Sequence, residues 1–272
     1  MKFYRDQIAI VTGAASGIGL ALSRQLASSG ARVTLVDVGE GALESAIDEL
    51  SHDGLKVDSA VLDVCDREAV EQLVKSVVNQ HGRLDYLFSN AGIGVGGEAR
   101  DYEATDWSRV IDVNLMGVVN GVSAAYPVMV AQGHGHIVNT GSVAGLIPLA
   151  GELSYVTSKY AVVGLSHALR AEAAALGVKV SVACPGKIET PIYDTSRIIK
   201  FDKDAVLAMW PQGVSAERCA TLILKGVRNN QSTIVVTRIA KALWAVGRVS
   251  PDAVIWAMKR YMKEMRKHRI ED

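Results

Sequence analysis

Short apolar runs alternate along this chain with longer stretches in which apolar residues recur every three or four positions. The runs cover residues 7–12, 32–37, 57–63, 86–90, 136–140, 179–184 and 233–236. Most are nearly continuous in hydrophobicity, as parallel strands covered on both faces require. The helical patterns fill the gaps, at 17–29, 40–52, 66–80, 105–132, 155–176 and 215–229. Asp66 and Ser215 stand where N-caps belong, each followed by an acid in the next turn. Strand–helix alternation of this kind predicts right-handed βαβ units in one open, doubly wound α/β sheet of seven parallel strands.

Nothing like a linker interrupts the first 190 residues, so residues 1–237 read as one nucleotide-binding and catalytic domain. Residues 191–213 break the rhythm just after a strand end, where an α/β sheet places its ligand crevice. They hold Ile192, Tyr193, Ile198, Ile199, Phe201, Leu207, Met209 and Trp210. That is more apolar surface than a plain connection carries, and a lid over a substrate is expected here. Beyond the last strand, 238–272 form a helical tail with nine basic and four acidic residues. Val254, Met258, Tyr261 and Met265 fall on one face of it, joined by Ile255 and Met262. A basic amphipathic helix suits an anionic membrane surface, but most apolar stripes are core. Packing on protein is the expectation, and peripheral membrane contact the second reading.

Composition narrows the function classes. With 49% hydrophobic residues and a formal net charge of zero, the 272-residue chain is neither a disordered segment nor a whole-chain basic binder of nucleic acid. Cys65, Cys184 and Cys219 are far apart, with no spacing for a disulfide framework or a thiolate metal site, and read as reduced thiols of a cytoplasmic protein. The first residues, MKFYRDQ, are charged and run straight into a strand, so no export signal is expected. No run of 18 uncharged apolar residues occurs, and no membrane-spanning helix is expected. His134 and His136, in GHGHI, lack acidic or thiol companions and read as loop residues without a metal.

The chemistry begins at VTGAASGIG, which leaves the first strand and opens the first helix. Gly13, Gly17 and Gly19 let the chain turn tightly and bring backbone N–H groups of the Ser16–Ile18 turn to a pyrophosphate at a helix N-terminus. No Gly-Lys-Ser/Thr ends the cluster, which excludes a P-loop. Asp37 closes the second strand, 18 residues after Gly19, where a carboxylate accepts bonds from ribose hydroxyls and repels a 2′-phosphate. Ala14, Ala15, Ser16, Val38 and Gly39 supply no cation there, and NAD is expected over NADP.

With Asp37 and YVTSK, the glycine spacing resembles the short-chain dehydrogenase/reductase family, over about residues 7–236. The resemblance implies a Rossmann-type fold and a set of roles. Asp63 and Val64 look like the adenine-contacting pair, and Asn90-Ala91-Gly92 like the signature after the fourth strand. Asn114 in NLMG, Ser142 in GS, Tyr155 and Lys159 look like the catalytic tetrad. Pro185-Gly186 leads the loop that would grip the nicotinamide through the Ile188 backbone and the Thr190 hydroxyl. Ser89 replaces the first asparagine of the usual Asn-Asn-Ala-Gly, and the tail extends past the usual end.

Hydride transfer between an alcohol and NAD needs a positioned carbon, a base for the hydroxyl proton and a donor for the developing oxyanion. A tyrosine, with its ordinary pKa of about 10, serves as base once a nearby ammonium favours the phenolate. Tyr155 and Lys159 are four apart and share a helix face, whereas Tyr160 points elsewhere and reads as packing. By resemblance, Lys159 also holds the nicotinamide ribose, Ser142 binds the substrate oxygen, and Asn114 holds a water that links Lys159 to solvent. Gly94, Val95, Leu146, Ile147, Leu149, Leu153 and the apolar lid residues are expected to face a hydrophobic secondary alcohol or ketone. A hydroxyacyl thioester met by Arg197, Lys200 and Lys203 is the runner-up, and a non-catalytic NAD-binding regulator the rival class. Homo-oligomerisation through helices 105–132 and 155–176 is implied by the resemblance.

Overall fold

A computed structural model describes residues 2–270, and of Lys2 the backbone alone. Met1 and the tail acids Glu271 and Asp272 lie outside the described residues. Seven strands form one parallel sheet: β1 Ile8–Thr12, β2 Arg32–Asp37, β3 Asp58–Val61, β4 Tyr86–Ser89, β5 Gly135–Thr140, β6 Val178–Cys184 and β7 Thr233–Val235. Their spatial order is β7-β6-β5-β4-β1-β2-β3, so the direction of winding reverses between β1 and β4. Side chains alternate across the sheet, yet both faces are apolar. Ala9 and Val11 of β1 enter one core with Leu22, Leu26, Leu43 and Ile223, whereas Ile8 and Ile10 enter the other with Val74, Val77, Ala125 and Met129. This two-sided burial is why the strands read as continuous apolar runs.

The first core lies under α1 Gly17–Ser28, α2 Glu40–His52 and α9 Ala216–Arg228. The second lies under α3 Arg67–His81, α5 Gly117–Gln132 and α6 Leu153–Ala173. The two expected N-caps form as read: Asp66 accepts from Ala69 N at 3.0 Å and Ser215 from Arg218 N at 3.2 Å. The helix expected at 105–132 is not uniform. It is α4 Ala104–Ile111, then a wider π-turn at Asp112–Met116, then α5. The whole stretch Ala104–Gln132 is long and apolar enough to cross a bilayer, but α5 lies across β4 and β5 beside α3.

Past β6 the chain folds over the carboxyl ends of the strands as α7 Ile192–Thr195 and α8 Lys203–Ala208. Two-residue ladders tie this segment down, Arg197–Ile198 to Val95–Gly96 and Val214–Ser215 to Ile188–Glu189. The tail is a helical hairpin, α10 Arg238–Val249 and α11 Pro251–Met265. Its stripe packs on protein. Val254 and Met258 meet Ile147 and Val163, and Tyr261, Met262 and Met265 close over Phe201 and Val206. Ile255 departs from the expected stripe and is exposed, as are Trp256 and Val249. Ion pairs fasten the hairpin's end: Arg266 binds Glu98 at 2.6 Å and Arg269 binds Asp101 at 2.7 Å.

Candidate active site

The loops that leave β1, β2, β4, β5 and β6 meet at one edge of the sheet, where the winding reverses. They line a cleft of about 890 Å³, the crevice this topology makes available to ligands. Gly13 (φ +62°) and Gly17 (φ +53°) adopt the left-handed backbone that glycine alone takes without strain. Ser16 precedes α1 in an extended conformation and makes no side-chain cap, and Ser16, Gly17 and Ile18 face the cleft. Gly19 does not line it. A Cβ there would lie 2.0 Å from Gly13 O, so Gly19 is what lets α1 close on its own loop.

Asp37 lines the cleft at the end of β2, where its carboxylate accepts from Ala15 N at 3.1 Å and Gly39 N at 3.2 Å. It therefore shapes the glycine loop as well as lining the cleft. Asp63 and Val64 follow beside it, and Asn120 fixes their strand end by donating to Val64 O at 2.9 Å. Asn90 lines the wall with Ala91 and Gly92, but its amide is occupied within the protein. It donates to Thr12 O at 3.1 Å and Gly13 O at 3.3 Å, while Thr12 Oγ1 accepts from Asn90 N at 2.9 Å. Thr12 thus joins two strand ends, a role that sequence reasoning missed. Pro185, Gly186, Ile188 and Thr190 form the opposite wall.

At the inner end, Ser142 and Tyr155 line the cleft together, with the Ser142 hydroxyl near enough to favour the Tyr155 phenolate. Lys159 is buried below them. Its ammonium donates to Thr140 O at 2.8 Å and lies 5.5 Å from the centre of the Tyr155 ring. Gly145 permits this placement, since a Cβ there would lie 2.4 Å from Lys159 O and force α6 away. Burial moves both titrations toward the neutral forms. The Tyr155 phenol is raised above its ordinary range, chiefly by burial, although the nearby Ser142 hydroxyl pulls the other way. Burial lowers Lys159 to about 8. The expected lowering of Tyr155 by Lys159 is not realised: burial dominates, and the amine bonds the Thr140 carbonyl.

Asn114 does not open into the cleft. It sits fully buried in the π-turn, accepting from Ile93 N at 2.8 Å and donating to Ile93 O at 3.0 Å and Ser158 Oγ at 3.2 Å. Its Oδ1 and the Lys159 Nζ nevertheless converge on Gly92, at 3.2 and 3.5 Å from where a Cβ would stand. Two further expectations are corrected. Tyr160 is 42% exposed on α6 rather than packed. His136 is not a loop residue; it lies buried in β5, 2.8 Å from Ser181 Oγ, and burial lowers its pKa to about 3.

Beyond Ser142 and Tyr155 opens a second chamber of about 90 Å³, lined by Gly94, Val95, Leu149, Ile192, Tyr193, Ile198, Val206, Leu207 and Trp210 among others. Leu146 and Ile147 instead pack beneath the tail with Val163 and Val254, and Leu153 does not line the chamber. Trp210 donates to the Tyr261 hydroxyl at 3.1 Å, so the tail backs the chamber wall. The sequence reading also missed Glu152, Lys187 and Ser196 in this chamber and Arg109 in the cleft. A lone acid amid apolar residues, LIPLAGELSY, was the available signal for Glu152. The three cysteines are free, and among the described residues no His/Cys/Asp/Glu group is built to hold a metal.

Residues 7–198 match the profile of the short chain dehydrogenase family. The chain belongs to that family. Among its relatives, SadH of Mycobacterium tuberculosis, named as an oxidoreductase, is 35% identical over 255 residues, covering 92% of each protein. The 3-oxoacyl-[acyl-carrier-protein] reductase FabG of Thermotoga maritima is 36% identical over 207 residues, 76% of this chain and 83% of that one. A short-chain dehydrogenase/reductase from Burkholderia phymatum, solved in complex with NAD, superposes with a TM-score of 0.84 at 31% identity, over 92% of this chain and 95% of that one. This short-chain dehydrogenase is thus an oxidoreductase by family, with the Rossmann-type sheet that its sequence predicts.

Proposed function

We propose that this short-chain dehydrogenase transfers a hydride between NAD and a compact secondary alcohol or ketone, with Tyr155 as acid/base. One observation carries the reading: Ser142 and Tyr155 line both the long cleft and the smaller chamber. A group held between them would meet a dinucleotide on one side and a small apolar molecule on the other.

The cleft fits NAD in its chemistry. Residues Ser16–Ile18 offer a helix N-terminus to the pyrophosphate, and the Asp37 carboxylate faces the ribose end beside Val38, with no cation on that strand end. Asp63 and Val64 would border the adenine, and Ala91, Gly92, Pro185, Gly186, Ile188 and Thr190 the rest of the dinucleotide. Bound NAD would supply the hydride acceptor and, when oxidised, a positive charge that favours the Tyr155 phenolate. In oxidation Ser142 would hold the substrate oxygen while the Tyr155 phenolate, stabilised by the Lys159 ammonium, takes its proton and becomes the phenol. Asn114 would act from behind the wall, its Oδ1 positioning a water at Gly92 and Lys159.

The chamber volume limits the substrate. A cavity that admits benzene measures about 150 Å³, so a chamber of about 90 Å³ admits only a compact skeleton unless residues 191–213, the proposed lid, move. The lid's cations do not favour a phosphate-bearing thioester. Arg197 is paired with Asp106 at 2.6 Å, and Lys203 donates to Ser196 O at 3.1 Å. A panel of compact secondary alcohols with NAD, read as reduced cofactor, tests the reading. Turnover with NAD and at least tenfold weaker NADP binding is expected; comparable or tighter NADP binding would overturn the argument from Asp37.

A further inference from the structure

Glu152 has no part in the scheme above, yet it lines the substrate chamber three residues before Tyr155. It is the sole carboxylate among the chamber-lining residues. The groups that face it come from four directions. Tyr155 is on its own helix, Tyr193 on α7, Tyr261 on α11, and Tyr102 on the loop before α4. In each of these tyrosines burial is the first cause of a raised pKa, and the Glu152 charge adds to it. The chamber's cation, Lys187, turns away to Leu207 O at 3.4 Å and lies 5.8 Å from the centre of the Tyr193 ring.

Among the described residues, no donor or cation contacts the Glu152 carboxyl, and burial raises its pKa to about 7. The residue is nevertheless only half-buried by area. Its place in the chamber lining is where a ligand would meet it. An unpaired carboxylate in an apolar setting is costly. A ligand that brings a donor would remove that cost, and one without a donor would leave it.

We propose that Glu152 is a specificity-determining residue that accepts a hydrogen bond from a second donor on the substrate, a hydroxyl or an ammonium, carried near the reacting carbinol. The inference rests on the hydride-transfer reading and names the substrate class within it. Ser142 and Tyr155 take the reacting oxygen, and Glu152 takes the other group. The small chamber keeps the two groups on one compact skeleton.

The test compares the wild type, Glu152→Gln and Glu152→Leu on a cyclic mono-alcohol, the matching diol and the matching amino alcohol. Turnover with NAD is read as reduced cofactor, and binding to the cofactor-loaded protein by calorimetry. The wild type should favour the diol or the amino alcohol by about ten- to a hundredfold in kcat/KM. Glu152→Leu should raise kcat/KM for the mono-alcohol and lower it for the donor-bearing compounds until the ratio nears one. Glu152→Gln separates the sources: it should keep a preference for a diol and lose one for an amino alcohol. Equal ratios in the wild type and Glu152→Leu would overturn the proposal. If the wild type turns over none of the three, the hydride-transfer reading fails instead, and calorimetry decides for Glu152. A donor-dependent binding preference that Glu152→Leu loses upholds its role, and no such preference overturns it.

Discussion

Burial acts on three titrating side chains around the inner end of the cleft, and it moves each toward its neutral form. Tyr155 and Glu152 are raised and Lys159 is lowered. For Glu152 the sign of the linkage is clear. Its folded pKa, about 7, lies above its ordinary 4.5, so folding is favoured fully below 4.5 and loses that contribution as pH rises through 7. Glu152→Gln should therefore be more stable than the wild type above pH 7, by about 1–3 kcal/mol, and should lose that advantage toward pH 4. Urea unfolding at the two pH values measures this. The sequence offered Tyr155 and Lys159 as a helical pair at four-residue spacing, but the lowering it predicted for Tyr155 is the opposite of the shift that burial produces. Spacing gives a shared face; it does not give the amine's choice of the Thr140 carbonyl. Glu152 stood out only as a lone acid amid apolar residues, and its setting was not legible, because its surroundings are assembled from four separate segments.

Among the elements, the strands and their caps were legible to within a residue or two, since β-branched runs and the Asp66 and Ser215 caps are local signals. The π-turn at Asp112–Met116 was not, because it answers to a tertiary demand: Asn114 must reach the Ile93 backbone and Ser158 together. The tail's apolar stripe could be read, but not what it covers. Its closing contact is a buried acid, Glu98, held by Arg266 at 2.6 Å, Arg100 at 2.7 Å and Arg269 at 3.1 Å. Burial alone would raise the Glu98 pKa, but the bonds from Arg266 and Arg100 bring it below its ordinary value. Its contribution is thus present above pH 4.5 and lost on acidification. Glu98→Gln should cost about 1–3 kcal/mol at neutral pH, less below pH 4, and should expose residues 250–270 to limited proteolysis.

For the whole molecule, the parallel sheet followed from strand–helix alternation, and the family match agrees with it, while the glycine loop pointed to the edge where the cleft opens. Association between copies remains our proposal. Tyr160, 42% exposed on α6, and the apolar stretch Ala104–Gln132, which is only partly buried within the chain, are surfaces that a second copy would cover. Tyr160→Arg should shift the sedimentation of the protein to a smaller species with cofactor binding retained. The central claim concerns proton transfer at Tyr155. The direct measurement is kcat for the best compact alcohol with NAD, in the wild type and Tyr155→Phe, with NAD binding checked by titration. A loss of about 10²–10⁴ in kcat at unchanged NAD affinity is predicted; turnover close to that of the wild type would contradict the account.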